Sequence, residues 1–518
     1  MRMDKRKQAR IAIAAAALLL LGSQFLLRRE RADATHANVE PAAARMQRAA
    51  DGSLRIGTLV FRPCELAAPR TGATTAAYCA PFAVAENPAA PAGRRIDLKL
   101  ALVASEAAAP EIDPVVLLAG GPGQAATQVW AQTAGAFAPL LARRNVILLD
   151  QRGTGGSNAL TCKQEDDSDA AAFDLGRVRE HTRTCLQTVS SHADPRWYTT
   201  TLALDDLEAV RQALGGPRLN LVGVSYGTRV AQQYAKRHPA AVRSIILDSA
   251  VPNDNALGAD FAVNLDASLK AQFKLCTQDP RCHAAFGDPW ANLQQLRTAL
   301  RDKPVQASYR DPDSNAPTTH AFSADSLASL VRMYAYQPEM SALLPLGIAR
   351  AQTGDYASLA AQAQMLGMDM SSLAETAMPL SVLCSEDSDR LAVNPADADT
   401  VLGTSLVEAF KAQCEIWPHG TRPDDFNAPL RGDLPVLLLA GEFDPVTPPR
   451  YAEAIARELP HARVLLACGQ GHSLLGRGCF PKLAARFVDT LDAAGLDASC
   501  VDNFAPIPAF IDYNGAAP

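Results

Sequence analysis

The spacings that build zinc sites are missing from this chain: neither C-x-x-C nor H-E-x-x-H occurs anywhere in its 518 residues. Positive charge is not in surplus, since 49 Lys and Arg stand against 55 Asp and Glu, a net of −6. With no basic excess and no nucleic-acid-reading motif, DNA or RNA binding is excluded as a principal role. No internal repeat is present, and low complexity is confined to an Ala-rich start, which excludes solenoid architectures. No metal and no cofactor are expected.

Long apolar runs are scarce too, with one exception at the start. Arg2, Lys5, Arg6, Lys7 and Arg10 precede "IAIAAAALLLLGSQFLL", Ile11 to Leu27. A basic flank before an apolar stretch is the export pattern. The run is long for a signal-peptide core and short for a spanning helix. Small-residue cleavage sites follow at Ala32-Asp33-Ala34 and Thr35-His36-Ala37. Residues 1–37 therefore read as a signal peptide or an N-terminal membrane anchor, with membrane attachment only through residues 11–27. Either reading sends the body to the periplasm or outside the cell.

Cysteine usage agrees with export. Ten of the eleven cysteines fall into neighbouring couples: Cys64 and Cys79, Cys162 and Cys185, Cys276 and Cys282, Cys384 and Cys414, Cys479 and Cys500. Couples like these suit disulfides in an oxidising compartment, and Cys468 is left over.

After a flexible lead-in over residues 38–53, the pattern becomes regular. "IDLKLALVAS" alternates as a half-buried strand. "PVVLLAGGPG" and "NVILLDQRGTGGS" are continuous apolar runs ending in glycine turns, as expected of strands buried on both faces of a parallel sheet. "ALDDLEAVRQALGG" has helical spacing, "LNLVGVS" is a strand, "YGTRVAQQYAKRH" a helix and "VRSIILDSAVP" a strand. That alternation predicts an α/β fold with a mostly parallel, doubly wound sheet. From residue 253 to 378 the text is mostly helical and reads as a cap inserted over the carboxyl ends of the strands. Strands resume with "AMPLSVLCSED", "LPVLLLAGEFDPVTPP" and "ARVLLACGQGH". The expected organisation is a core over 54–252, the cap over 253–378, and the rest of the core with a C-terminal tail over 379–518.

Three residues arrive at strand ends in an order that suggests chemistry. Ser225 lies in Gly223-Val224-Ser225-Tyr226-Gly227, where a strand turns tightly into a helix. A serine hydroxyl is a weak nucleophile until a positioned base takes its proton. His472, after "ARVLLACGQG", is the candidate base. Asp444, after "PVLLLAGEF" and flanked by Pro445, Thr447, Pro448 and Pro449, is the candidate for fixing its tautomer. His238, His283, His320 and His419 have poorer strand context, as do Glu442 and Asp433. "GGPG" at Gly120–Gly123, with the N–H of Tyr226, could supply donors to an oxyanion.

Taken together, "GGPG", "DQRGTGGS", "GVSYGT", "GEFDPVTPP" and "GQGH" resemble the proline iminopeptidase and tripeptidyl aminopeptidase family of α/β-hydrolases, especially its exported bacterial branch. The resemblance runs from about residue 54 to the C-terminus. It implies an α/β-hydrolase fold with a helical cap, Ser225, Asp444 and His472 as a catalytic triad, and Gly121 and Tyr226 as oxyanion donors. It also implies that Asp150 and Arg152 of "DQRG" form an internal ion pair beside the site. The activity implied is serine exopeptidase cleavage of short N-terminal pieces, a tripeptide or a single residue, from peptide substrates. Ala119 stands where proline iminopeptidases commonly have His, which weakens strict proline specificity. An exopeptidase must also bind a free ammonium, for which Glu386 and Asp387 are the candidates. Two alternatives stay open: an esterase or other acyl hydrolase of the same fold, and a non-catalytic binding protein.

Overall fold

The computed structural model describes residues 46–516 apart from 69–71, 163–173 and 375. Residues 1–37, read above as signal or anchor, lie outside the described residues. The segment read as a lead-in departs from expectation at its end: Gln47–Arg48 (β1) pairs antiparallel with Leu54–Ile56 (β2) as an edge ribbon.

The strands that follow are Leu59–Ala67 (β3), Thr74–Ala85 (β4), Arg95–Val103 (β5), Glu111–Leu118 (β6), Arg144–Leu149 (β7), Leu219–Val224 (β8) and Val242–Asp248 (β9). A separate hairpin, Val305–Arg310 (β10) with Pro317–Phe322 (β11), lies in the inserted region, and Val436–Gly441 (β12) and Ala462–Ala467 (β13) complete the set. The main sheet has 11 strands in the order β1-β2-β3-β4-β5-β7-β6-β8-β9-β12-β13. It is antiparallel from β1 to β7 and parallel from β7 through β13.

The reason lies in side-chain pattern. The central parallel strands are rich in buried Val, Leu and Ile, because helices cover both faces. β12 is buried at every residue. One apolar cluster, around Leu221, Ile245 and Leu438, fills one face. A second, around Trp130, Val222, Leu439 and Phe487, fills the other. All the parallel strands point the same way, so the loops after β6, β8, β9, β12 and β13 meet at one edge, where open α/β sheets bind ligands.

Within residues 253–378 lie helices including Phe261–Gln278, Pro289–Asp302 and Ala324–Ala335, around an apolar cluster that includes Leu265, Leu269, Leu296, Val331 and Ile348. The β10–β11 hairpin is an addition. Ala307, Tyr309 and Phe322 are its buried residues, and the Asp311 carboxylate accepts the N–H groups of Asp313 and Ser314 at the turn.

"AMPLSVLCSED" overturns its strand expectation, since Met378–Glu386 is a helix. A short apolar run does not by itself distinguish strand from buried helix. Pro379, in the first helical turn, suits a start where no intrahelical N–H bond is lost. Met378, Val382, Leu383 and Cys384 of this helix join the core cluster rather than the cap.

All five cysteine couples stand at bonding distance, with Cα separations from 5.0 to 6.4 Å, and Cys468 is free. These pairs fit a chain that folds in an oxidising compartment. Among the described residues, no helix is long and apolar enough to cross a membrane. Cys384–Cys414 closes a 30-residue separation and ties Met378–Glu386 to the helix Ser405–Cys414. Chain-entropy arguments put such a crosslink at about 3–4 kcal/mol. The double variant Cys384→Ala/Cys414→Ala should lose stability on that scale in urea titrations without reductant. An unchanged midpoint would show that the bond does not constrain the unfolded chain.

Candidate active site

Ser225 is the single residue between the end of β8 and the helix Tyr226–Arg237, with φ 55° and ψ −122°. Such a backbone costs on the order of 1–3 kcal/mol outside glycine and persists only where its surroundings enforce it. Here the enforcement is crowding. A Cβ on Gly223 would stand 2.4 Å from the Gly227 carbonyl oxygen, and one on Gly227 would stand 2.0 Å from that of Leu118. The Ser225 N–H donates to the Asp248 carbonyl of β9 at 2.9 Å, which fixes the turn against the next strand.

The "GGPG" turn lies against the serine, since a Cβ on Gly120 would approach the Ser225 Cβ to 3.2 Å. Gly121 has φ 106°, a conformation that favours glycine. Tyr226 is the first helical residue, and the N–H groups of a helix's first turn have no intrahelical acceptor. The helix start also favours negative charge. A carbonyl beside Ser225 would therefore face unpaired backbone donors.

Asp444 and His472 come together after β12 and β13. His472 Nδ1 stands 2.8 Å from Asp444 Oδ2. The other carboxylate oxygen of Asp444 accepts the N–H groups of Val446 at 2.9 Å and Thr447 at 2.8 Å. Thr447 Oγ1 donates to Asp444 Oδ2 at 2.7 Å and lies 3.3 Å from His472 Nδ1. The loops cross so closely that a Cβ on Gly441 would sit 1.9 Å from the Gly471 carbonyl oxygen. Burial works against charge on both partners, yet their mutual attraction and hydrogen bond win: His472 is raised above the ordinary imidazole value and Asp444 is lowered below the ordinary carboxyl value. An imidazole held in this way presents Nε2 as a proton acceptor and can carry the resulting charge.

The cap reaches this site through Tyr336, directly after the helix Ala324–Ala335. Its carbonyl accepts the His472 N–H at 2.9 Å, and its ring meets the imidazole edge-on with centroids 5.1 Å apart. Sequence reading missed Tyr336, which carries no motif.

Glu386 and Asp387 require correction as ammonium ligands. Both are fully buried, and their carboxylates already have internal partners. Glu386 accepts from Thr200 N–H at 2.6 Å and Thr200 Oγ1 at 2.9 Å, and that hydroxyl lies 2.6 Å from the Tyr226 phenol. Burial pushes Glu386 up to about 7, against the pull of Arg229. Asp387 accepts from Arg229 at 2.7 Å and also pairs with Arg390. Neither is an open counter-ion.

Asp150 and Arg152 are internal, as expected, but they do not pair with each other. Arg152 forms a two-pronged bridge to Asp206, whereas Asp150 accepts from Thr127 and the Gly156 N–H. The rival residues lie in other settings. Glu442 binds the Gly469 N–H, Asp433 is exposed, and His238 packs on Tyr234. His283 and His419 approach backbone carbonyls, and His320 lies in the β10–β11 hairpin.

A family model described as alpha/beta hydrolase fold matches residues 113–476. The Escherichia coli protein YuaR is 25% identical over 414 residues, which cover 73% of this chain and 77% of that protein. Serine protease Hip1 of Mycobacterium tuberculosis is 29% identical over 220 residues, covering 39% of this chain and 41% of that protease. Tripeptidyl aminopeptidase of Streptomyces lividans is 28% identical over 200 residues, covering 34% and 35%. The matches to these two peptidases thus span well under half of each.

Because His472 is raised, its imidazole should stay protonated to a pH above the usual value of about 6.5. In Asp444→Asn the largest attraction is gone and burial remains, so the titration should move to lower pH. Histidine-selective NMR against pH reads both. A midpoint that does not move between the two proteins would remove Asp444 as the cause.

Proposed function

This chain belongs to the alpha/beta hydrolase fold family, and on that premise we propose that it is a serine exopeptidase releasing short N-terminal pieces from peptides. The observation that carries this reading is the Asp444–His472 pair at 2.8 Å, at the sheet edge where Ser225 tops its strained turn. In the proposed reaction Ser225 Oγ attacks the scissile carbonyl while His472 Nε2 takes the hydroxyl proton. The oxyanion is received by the backbone N–H groups of Gly121 and Tyr226. Collapse breaks the C–N bond, and His472 returns the proton to the leaving amine. Water then hydrolyses the acyl-enzyme by the same path, and Asp444 holds the imidazole throughout.

Peptides are favoured over simple esters by the motif set shared with iminopeptidases and tripeptidyl aminopeptidases and by the peptidase-named relatives. The cap supports an exopeptidase, since its Tyr336 stands directly over His472. The five disulfide-compatible couples support a periplasmic or secreted location.

A fluorophosphonate probe should label the native protein at Ser225 and leave Ser225→Ala unlabelled. A native protein that stays unlabelled would favour a binding module. Tripeptidyl and aminoacyl anilides with a free amino terminus should turn over far faster than their N-acetylated forms. Equal rates on blocked and free substrates would sink the exopeptidase reading and favour a general acyl hydrolase.

A further inference from the structure

The end of β9 carries two buried polar residues that the proposed reaction does not use. Asp248 is 1% exposed and Ser249 is fully buried. Both face the loop that follows His472. The Ser473 N–H donates to Ser249 Oγ at 2.8 Å. The Leu474 N–H is shared between the two Asp248 carboxylate oxygens at 2.8 and 3.0 Å, and the Leu475 N–H reaches Oδ2 at 2.8 Å. Three consecutive N–H groups of an irregular loop thus close on two adjacent side chains. Successive backbone N–H groups make an anion-binding concavity, and here its anion is Asp248.

The same residue holds the serine. The Asp248 carbonyl accepts the Ser225 N–H, so one residue's two ends bind the turn carrying Ser225 and the loop carrying His472. Ser249 has φ 58° and Ser473 φ 68°, so both stand in a backbone region unusual for serine where the two segments meet. From the other side, the Tyr336 carbonyl takes the N–H of His472 itself. Four successive N–H groups, from 472 to 475, therefore have their acceptors outside the loop.

We propose that Asp248 and Ser249 are positioning residues that keep the His472 loop in register with the Ser225 turn. This rests on the serine-hydrolase reading. The groups in contact with the His472 ring are Asp444 and Thr447 from the loop after β12 and the Tyr336 ring from the cap. Asp444 orients Nδ1, whereas Asp248 and Ser249 act through the backbone of the loop that follows. Residues needed only for folding would change stability and leave the kcat of the folded protein alone.

Two variants separate these roles. Ser249→Gly suits a φ of 58° and removes the Oγ that accepts from the Ser473 N–H and reaches Asp248 Oδ1 at 3.5 Å, so thermal stability should change little. Its kcat should fall roughly 10- to 100-fold, the scale of a misplacement near 1 Å. KM should stay within about twofold, since no substrate contact is touched, and the acid limb of kcat/KM should stay in place because no charge has changed. Asp248→Asn, which exchanges one acceptor oxygen for an NH2 donor facing the same N–H groups, should lower kcat by a similar factor with KM again nearly unchanged. Fluorophosphonate labelling of the wild-type protein at Ser225 tests the hydrolase reading on its own. Given that labelling, wild-type kcat in Ser249→Gly, or in a folded Asp248→Asn, overturns the proposal. If Asp248→Asn does not fold, the kcat of Ser249→Gly still decides the positioning claim.

Discussion

Two residues before Ser225 and two residues after it, no side chain fits, and much of the site's geometry follows from that crowding. Gly223 faces the Gly227 carbonyl, and Gly227 faces the carbonyls at the end of β6. The backbones of β6, β8 and the following helix therefore approach more closely than any side chain would permit. This brings "GGPG" against the serine and leaves the helix start open to whatever binds there. A second contact of the same kind, between Gly441 and Gly471, brings the two loops bearing Asp444 and His472 together. Glycine acts here by what it leaves out, and only at positions where a neighbouring backbone needs the space.

Around this frame, charge is arranged so that each buried carboxylate has its own donors. Asp444 faces imidazole, Thr447 and backbone N–H groups, Asp206 faces Arg152, Asp387 faces Arg229, and Glu386 faces Thr200. An unpaired buried charge would cost several kcal/mol. The partners differ in kind, and so do the consequences. Guanidinium partners lock segments together, whereas the imidazole partner leaves a second nitrogen free for proton transfer.

The parts of this arrangement that were legible in the sequence are those set by short chain distances. Ser225, Asp444 and His472 each follow a short apolar run of strand length that ends in a glycine turn, so their shared edge could be read directly. The fates of Glu386 and Asp387 could not. Their partners Thr200 and Arg229 lie 186 and 158 residues away, and the run before them suits a helix as well as a strand. Asp150 and Arg152 looked like a pair because they are neighbours in sequence, yet side chains two apart in a turn can point to different partners. Asp248 was hidden for a similar reason. After "VRSIIL" it reads as an ordinary turn residue, and its acceptor role depends on a loop 226 residues further on.

The Tyr336 carbonyl joins the cap to the His472 N–H by a main-chain bond that no side-chain rotation can release. A roof hinged at this point could not lift away from the imidazole without pulling the histidine loop out of register. The segment carrying Tyr336 and the histidine loop are thus tied to each other along the main chain at this point. On the proposed exopeptidase reading, a peptide approaching Ser225 would pass beside this joint, and how much chain fits there becomes a matter of clearance.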